Sequence, residues 1–207
     1  MQAAVDEPEL VRLAQRGDVG AFNQLVLCYQ QLAYNVAFRL LGDADAAADV
    51  TQDAFTSAYQ AIRGFRGGSF RAWLLRIVSN GCYDHLRSRQ RHPTASLDAL
   101  SDDEESPTAF PDPGETPEAA ALRRELLAHI QQGLLTLPVD QRVAVVLYDV
   151  QGLSYDEIAE VTRASLGTVK SRLSRGRSHL RAFLMRRGEL LPARYRPKSG
   201  LEQLGSG

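Results

Sequence analysis

Residues 155–181 read YDEIAEVTRASLGTVKSRLSRGRSHLR, and this stretch decides the fold of the C-terminal half. Ser154-Tyr155-Asp156-Glu157 is a capping box, in which the Ser hydroxyl and the Glu carboxylate satisfy orphan backbone amides reciprocally. The helix it starts turns Ile158 and Val161 inward. Arg163 to Ser165 make a turn, and Ser165 can cap the helix that follows. That helix holds Val169, Leu173 and Leu180 inward. Two helices, the first short, joined by a three- or four-residue turn, predict a helix-turn-helix. Its second helix is the one that enters a DNA major groove. With Val169 and Leu173 facing the first helix, Lys170, Ser171, Ser174 and Arg175 share the opposite face. Arg can bond two acceptors of one guanine; Lys and Ser bond base edges more loosely. Arg172, Arg177 and Arg181 are better placed for phosphates.

Upstream of this motif the pattern is also helical. Leu122, Leu126, Ile130 and Leu134 lie on one stripe, and Pro138 suits the start of a helix carrying Val143, Val146 and Leu147, with Gly152 as its end. Residues 92–118, HPTASLDALSDDEESPTAFPDPGETPE, contain five prolines and eight acids with little apolar periodicity, and read as a flexible acidic linker. Before them lie four helices. Leu10, Val11, Leu13 and Ala14 mark a short one ending at Gly17. Asp18 caps a second with Phe22, Leu25, Val26, Tyr29, Leu32, Val36 and Leu40 at three- and four-residue spacing, stopped at Gly42. Asp43 caps a third carrying Ala47, Val50, Ala54, Ala58 and Ile62 inward. After the break at 64–69 comes a fourth with Phe70, Trp73, Leu74, Ile77, Val78 and Leu86. No alternating strand pattern occurs. The expected fold is therefore all-α: two small helical domains, 1–91 and 119–187, joined by the linker, with a disordered tail at 188–207.

Net charge is −1, but its distribution is uneven. Residues 1–60 balance to −5, 61–91 to +6, 92–121 to −8 and 122–207 to +6. Two basic stretches flanking an acidic one point to two polyanion-binding surfaces, although either stretch alone reads as a solvated helix face. No stretch nears the roughly 18 apolar residues of a membrane span. No secretory signal opens the chain, so Cys28 and Cys82 are expected to be reduced, buried thiols. No P-loop, GxGxxG, zinc-ligand set or nucleophile–base pattern supports an enzyme. No metal, cofactor or catalytic residue is expected.

The stretch GTVKSRLSRGRSHLR, preceded by LSYDEIAEV, resembles the C-terminal promoter-reading domain of the extracytoplasmic-function (ECF) group of bacterial RNA polymerase sigma factors. Independently, DADAAADVTQDAFTSAYQAIRGFRGGSFRAWLLRIVSNGCYDHLRSRQR resembles their core-binding and promoter-melting domain. The two resemblances cover about residues 9–91 and 120–187. They imply a cytoplasmic initiation factor that binds core polymerase, reads promoter −10 and −35 elements and helps melt the DNA. The implied −35 residues are Thr168, Lys170, Ser171, Arg172, Ser174, Arg175 and Arg177. The face of Asp49, Gln52, Asp53 and Phe55, on the residues alone a solvated acidic face, is implied to dock on the clamp helices of the largest subunit. The second domain is implied to meet the flap of the second-largest subunit. The loop Arg66, Gly67, Gly68 and Ser69, with Phe70, Trp73, Arg76, Asn80, Asp84 and Arg87, is implied to grip and melt the −10 element. Single-stranded DNA is held by aromatic stacking in a basic groove, and here Phe65, Phe70, Trp73 and Tyr83 interleave with arginines. On the residues alone Trp73 serves equally as core. The family commonly has Gly and Pro where this chain has Arg163 and Ser165, and a loop one residue longer than FRGGSF. It also implies an anti-sigma partner. A stand-alone helix-turn-helix regulator explains 155–181 but leaves the first domain unexplained. The linker's length and charge lead to a further expectation: a free chain that is extended and mobile.

Overall fold

The computed structural model describes residues 6–91 and 116–186. Among the described residues the α-helices run in the order α1 (Glu7–Gln15), α2 (Val19–Leu41), α3 (Ala44–Ala61), α4 (Phe70–Arg91), α5 (Pro117–Leu135), α6 (Val139–Val145), α7 (Tyr155–Thr162) and α8 (Leu166–Arg186). A 3-10 turn, Ile62–Gly64, follows α3, and α6 continues into a π-helical turn, Val146–Val150. Among the described residues there is no strand. The proposed tail at 188–207 and all but the last three residues of the proposed linker lie outside the described residues. Those three belong to α5 and its cap: the Thr116 hydroxyl accepts from Ala119 N at 3.3 Å, and Pro117 takes the first turn.

Local chemistry sets the helix ends. Asp18 and Asp43 carboxylates accept from Ala21 N and Ala46 N at 3.0 and 2.9 Å. Gly42 closes α2 at φ +72°, a left-handed conformation that costs glycine little. Both limbs of the capping box at Ser154 and Glu157 are formed. The backbone bond of Ser154 holds the Glu157 carboxyl below its ordinary pKa.

In the first domain α2, α3 and α4 pack together with α1 laid against α2. Leu25, Val36, Leu40, Ala47, Val50, Ala54, Ala58, Ile62, Leu74, Leu75 and Val78 fill the centre. In the second, α6, α7 and α8 close around Leu134, Leu147, Leu153, Ile158, Val169 and Leu173. Each buried Leu, Ile or Val among them contributes about 1.5–3 kcal/mol, and each alanine methyl less than about 1 kcal/mol. Gly176 lets α8 approach α6: a Cβ there would lie 2.8 Å from Val145 Cγ2. Cys82 is buried, its thiol pushed up to about 12 by desolvation, whereas Cys28 is exposed, contrary to expectation. Position 28 follows Leu27, itself 62% exposed, on the outer side of α2.

The turn between α7 and α8 keeps helix-turn-helix geometry with Arg163 at φ 51° and ψ 39°. The left-handed region costs an L-residue about 1–2 kcal/mol, and glycine escapes this penalty while losing part of the gain to unfolded-state entropy. Arg163→Gly is expected to raise stability by about 0.5–1 kcal/mol, read as a higher urea midpoint at unchanged slope. A lowered midpoint would show that the arginine side chain outweighs the backbone strain.

The two domains pack against each other, which corrects the expectation of an extended chain. At the end of α2 the last carbonyls need donors from outside the helix. Gln131 Nε2 donates to Phe38 O at 3.2 Å, and Arg39 Nη1 donates to Gln131 Oε1 at 3.2 Å. The buried Arg142 guanidinium reaches Leu40 O across the interface, and also Leu135 O at 2.8 Å and Leu137 O at 3.1 Å in its own domain. Burial lowers the pKa of both arginines. Leu135 seats directly on Gly42, where a Cβ would fall 2.5 Å from its Cδ1.

Candidate functional site

Three surfaces emerge from this frame. The first is an apolar groove of about 660 Å³ between α2 and α3, lined among others by Val19, Phe22, Val26, Tyr34, Gln52, Phe55 and Tyr59. Phe22 and Tyr59 meet edge-on with ring centroids 5.0 Å apart. Phe55 is 8% exposed and forms part of the wall; Gln52 stands exposed on the rim. Asp49 and Asp53 lie one turn apart on the exposed flank of α3 beside it. The groove thus joins an apolar trough to an acidic edge. Sequence reading found the edge and Phe55 but missed Val19 and Tyr59, which are 54% and 42% exposed. The available signal was apolar residues standing off the inward stripe of their helices.

The second surface is the loop before α4 and the outer face of that helix. Gly67 and Gly68 take φ +91° and +89°, consecutive positive values open to glycine and hard for other residues. The loop is held at both ends. Gln15 Nε2, from α1, donates to Phe65 O at 2.7 Å and Ile62 O at 3.3 Å. Ser69 Oγ accepts from Ala72 N at 3.1 Å and so caps α4. Phe65, Phe70 and Trp73 form an aromatic cluster, with Phe65–Trp73 and Phe70–Trp73 centroids 5.3 and 5.5 Å apart. Phe70 is 1% exposed and belongs to the core, leaving Phe65 and Trp73 as the half-exposed members. Trp73, Arg76, Asn80, Asp84 and Arg87 recur at three- and four-residue spacing, so they form one stripe along α4. Asn80, Asp84 and Arg87 are exposed along it, as are Arg66, Gly67, Gly68 and Ser69 in the loop. Glu160 and Val161 of α7 close one side of the loop, leaving a cavity of about 370 Å³.

The third surface is α8. Lys170, Ser171, Ser174 and Arg175 are exposed on one face, with Val169 and Leu173 buried behind them. Thr168 sits at the start of the helix, its hydroxyl 2.9 Å from that of Ser165. The flanking arginines are engaged. Arg172 Nη2 pairs with Asp140 Oδ2 at 2.5 Å; Arg177 makes a two-bond pair with Asp149, its Nε 2.9 Å from Oδ2. Arg177 also lies 4.9 Å over the Tyr148 ring, which stacks on Tyr155 at 4.9 Å, while the Lys170 ammonium is 5.9 Å from the Tyr155 ring. This tyrosine platform under the cationic face was missed, because Tyr148 lies on the π turn and only the fold brings it to Tyr155.

Among the described residues no cluster of His, Cys, Asp or Glu could hold a metal ion, and no helix is long and apolar enough to cross a membrane. Two basic helix faces on separate domains, plus an acid-edged apolar groove, suit binding to polyanions and to a partner surface.

Comparison with known proteins agrees. Residues 25–92 match the Sigma-70 region 2 family, and residues 127–180 match Sigma-70, region 4. The chain is 43% identical to the RNA polymerase sigma-H factor of Pseudomonas aeruginosa over 83% of its own length and 90% of that protein. It is 37% identical to the ECF RNA polymerase sigma-E factor of Escherichia coli over 86% and 93%. Among solved structures it is similar to the sigma factor RpoE of Bartonella quintana in complex with the anti-sigma factor NepR. There the TM-score is 0.62 at 29% identity, over 80% of this chain and 98% of that one. It is equally similar to CnrH in complex with the cytosolic domain of CnrY, with TM-score 0.62 at 29% identity over 86% and 96%. A stand-alone helix-turn-helix regulator would not account for the match of the first domain. The chain belongs to the ECF group of RNA polymerase sigma factors, the proteins that direct polymerase to promoters.

Proposed function

We propose that the three surfaces divide the work of promoter recognition in the bacterial cytoplasm. The observation that carries this reading is α8: an apolar seam buried against α7 and an opposite face of Lys170, Ser171, Ser174 and Arg175 free to meet base edges. On this reading α8 lies in the major groove of the −35 element, with Arg175 and Lys170 bonding bases and Thr168, Arg172 and Arg177 holding phosphates. The loop Arg66–Ser69 and the stripe Trp73, Arg76, Asn80, Asp84 and Arg87 take the −10 element. Trp73 and Phe65 offer ring faces for an unstacked base, and the arginines offer charge to the single strand. Phe70 supports this surface from beneath. The α2–α3 groove with Gln52 and Phe55, edged by Asp49 and Asp53, receives the clamp helices of the largest polymerase subunit. The second domain meets the flap of the second-largest subunit. The similarity to a sigma factor solved in complex with an anti-sigma factor supports a corresponding inhibitor for this chain.

The test is run-off transcription with core polymerase on matched promoters and promoters altered in the −35 element. Arg175→Ala is expected to lower transcription from the matched promoter and to flatten the preference between the two. A lost base contact is worth about 1–3 kcal/mol, or roughly 5- to 150-fold in discrimination. Unchanged preference would remove Arg175 from base reading.

A further inference from the structure

Two cations of α8 rest on a pair of stacked rings. Tyr148 and Tyr155 lie nearly parallel, with 15° between their planes and 4.9 Å between centroids. A hydrogen bond from one hydroxyl to the other ties the stack together and raises the Tyr148 pKa. Both rings are half-buried and pack on the core, so they are fixed points beneath the mobile ends of longer side chains. Arg177 lies over the Tyr148 ring at 4.9 Å and makes its two-bond pair with Asp149. Lys170 stands over the Tyr155 ring at 5.9 Å. Both distances are within the roughly 6 Å reach of a cation–π contact. Tyr148 and Asp149, which together hold Arg177, are consecutive residues of the π turn Val146–Val150. Such turns are rare and recur at functional sites. Lys170 and Arg177 are two helical turns apart and share one side of α8. The hollow between them, about 360 Å³, is walled among others by Tyr155, Ser174 and Arg181.

We propose that Tyr148 and Tyr155 are positioning residues for −35 recognition: the stacked pair confines Lys170 over one ring and Arg177 over the other, and so sets where the two cations meet the DNA. The proposal rests on the assignment of α8 to the −35 element made above. A lysine is a point charge on a flexible four-carbon stem, and it gives up rotamer freedom when it orders on a base. An ammonium already confined by a ring gives up less, and it reaches a narrower set of acceptors. Tyr155 therefore acts through Lys170, a base reader, and governs the preference among sequences. Tyr148 acts with Asp149 through Arg177, a phosphate contact, and governs affinity whatever the sequence. The carboxylate takes the Nε and Nη2 edge of that guanidinium, which leaves Nη1 to turn to a phosphate oxygen.

The experiment measures binding of holoenzyme, assembled from core polymerase and the full chain, to a matched promoter and to one altered in the −35 element, over a range of salt. Tyr155→Leu and Tyr155→Phe are made alone and beside Lys170→Ala; Tyr148→Leu and Tyr148→Phe are made alone and beside Arg177→Ala. Leucine keeps apolar cover on the core, and phenylalanine keeps the ring face and loses only the hydroxyl. Tyr155→Leu is expected to narrow the preference for the matched promoter about two- to fivefold, and Tyr155→Phe to keep it. Tyr148→Leu is expected to weaken binding to both promoters by similar factors and to lower the slope of log affinity against log salt by about 1, as loss of one phosphate contact does; Tyr148→Phe should not. Neither leucine change should add to the alanine change of its own cation, because both remove the same contact. A tyrosine that served only the core would cost as much with its cation absent as present, and that additivity overturns the proposal for that residue. A phenylalanine variant as defective as the leucine one overturns it too. One measurement needs no variant: in the wild-type chain the ring currents should move the Lys170 ε-methylene and Arg177 δ-methylene protons upfield of their positions in the free amino acids, and unshifted protons overturn the contact. Lys170→Ala with unchanged promoter preference, or Arg177→Ala with unchanged affinity, would remove that cation's DNA assignment and this proposal with it. A cation with an effect of its own beside an additive tyrosine removes the proposal alone.

Discussion

Core polymerase is expected to lose its hold on this factor when Asp49 and Asp53 are both reversed to arginine. The two carboxylates lie one turn apart on the exposed flank of α3, so neither substitution disturbs the buried row of Ala47, Val50, Thr51 and Ala54 behind them. Helix content by circular dichroism should be unchanged. Binding should not be. Like charges brought together at an interface cost several kcal/mol, and each 1.4 kcal/mol is about a factor of ten, so affinity for core should fall at least about 100-fold. The apolar groove would remain, since Phe22, Phe55 and Tyr59 are untouched. The experiment therefore separates the acidic edge from the trough: co-purification at wild-type yield would assign docking to the trough alone.

The second large effect is on stability. Arg142→Met is expected to destabilise the chain by about 2–4 kcal/mol, because Met fills a similar volume but leaves the carbonyls of Leu40, Leu135 and Leu137 without their shared donor. Each buried polar group so orphaned costs about 1–3 kcal/mol, partly offset by no longer burying a charge. Arg142→Lys should recover only part of the loss, since an ammonium cannot present the guanidinium fork to three oxygens. Urea unfolding checks both variants. Wild-type stability in Arg142→Met would show that the desolvation cost of the guanidinium cancels its hydrogen bonds. Because Leu40 belongs to the first domain, the same variant should also loosen the interface.

Arg142 illustrates where sequence reading stops. In VDQRVAVVLYDV an arginine among valines looks like the polar face of an amphipathic helix. Its burial depends on Leu40, more than a hundred residues earlier. Phe70 is similar: the resemblance puts it among the −10 residues, whereas in the fold it is 1% exposed and packs on Tyr29 of α2, at 5.5 Å between ring centroids. The groove was half legible. Asp49, Gln52, Asp53 and Phe55 sit within two turns of one helix, so periodicity relates them, but Val19, Phe22 and Tyr34 come from α2 and join them only once the helices pack.

What the sequence determined by itself was local and periodic. Helix spacing, the caps at Asp18, Asp43 and Ser154, and the stops at Gly17, Gly42 and Gly152 all follow from interactions within about four residues. So does the exposed face of α8, because Val169 and Leu173 can bury only on one side of it. Tertiary structure decided whatever required two distant helices to choose each other: which arginine is buried, which aromatic is covered, the tyrosine platform, and the closed arrangement of the domains. The physical reason is that a helix's own hydrogen bonds are settled by its neighbours in sequence. The partners of its side chains and of its terminal carbonyls are settled by packing. Asp140 stands on that divide: its place in the first turn of α6 could be read from the chain, but Tyr83 and Arg172 reach it only in the folded whole.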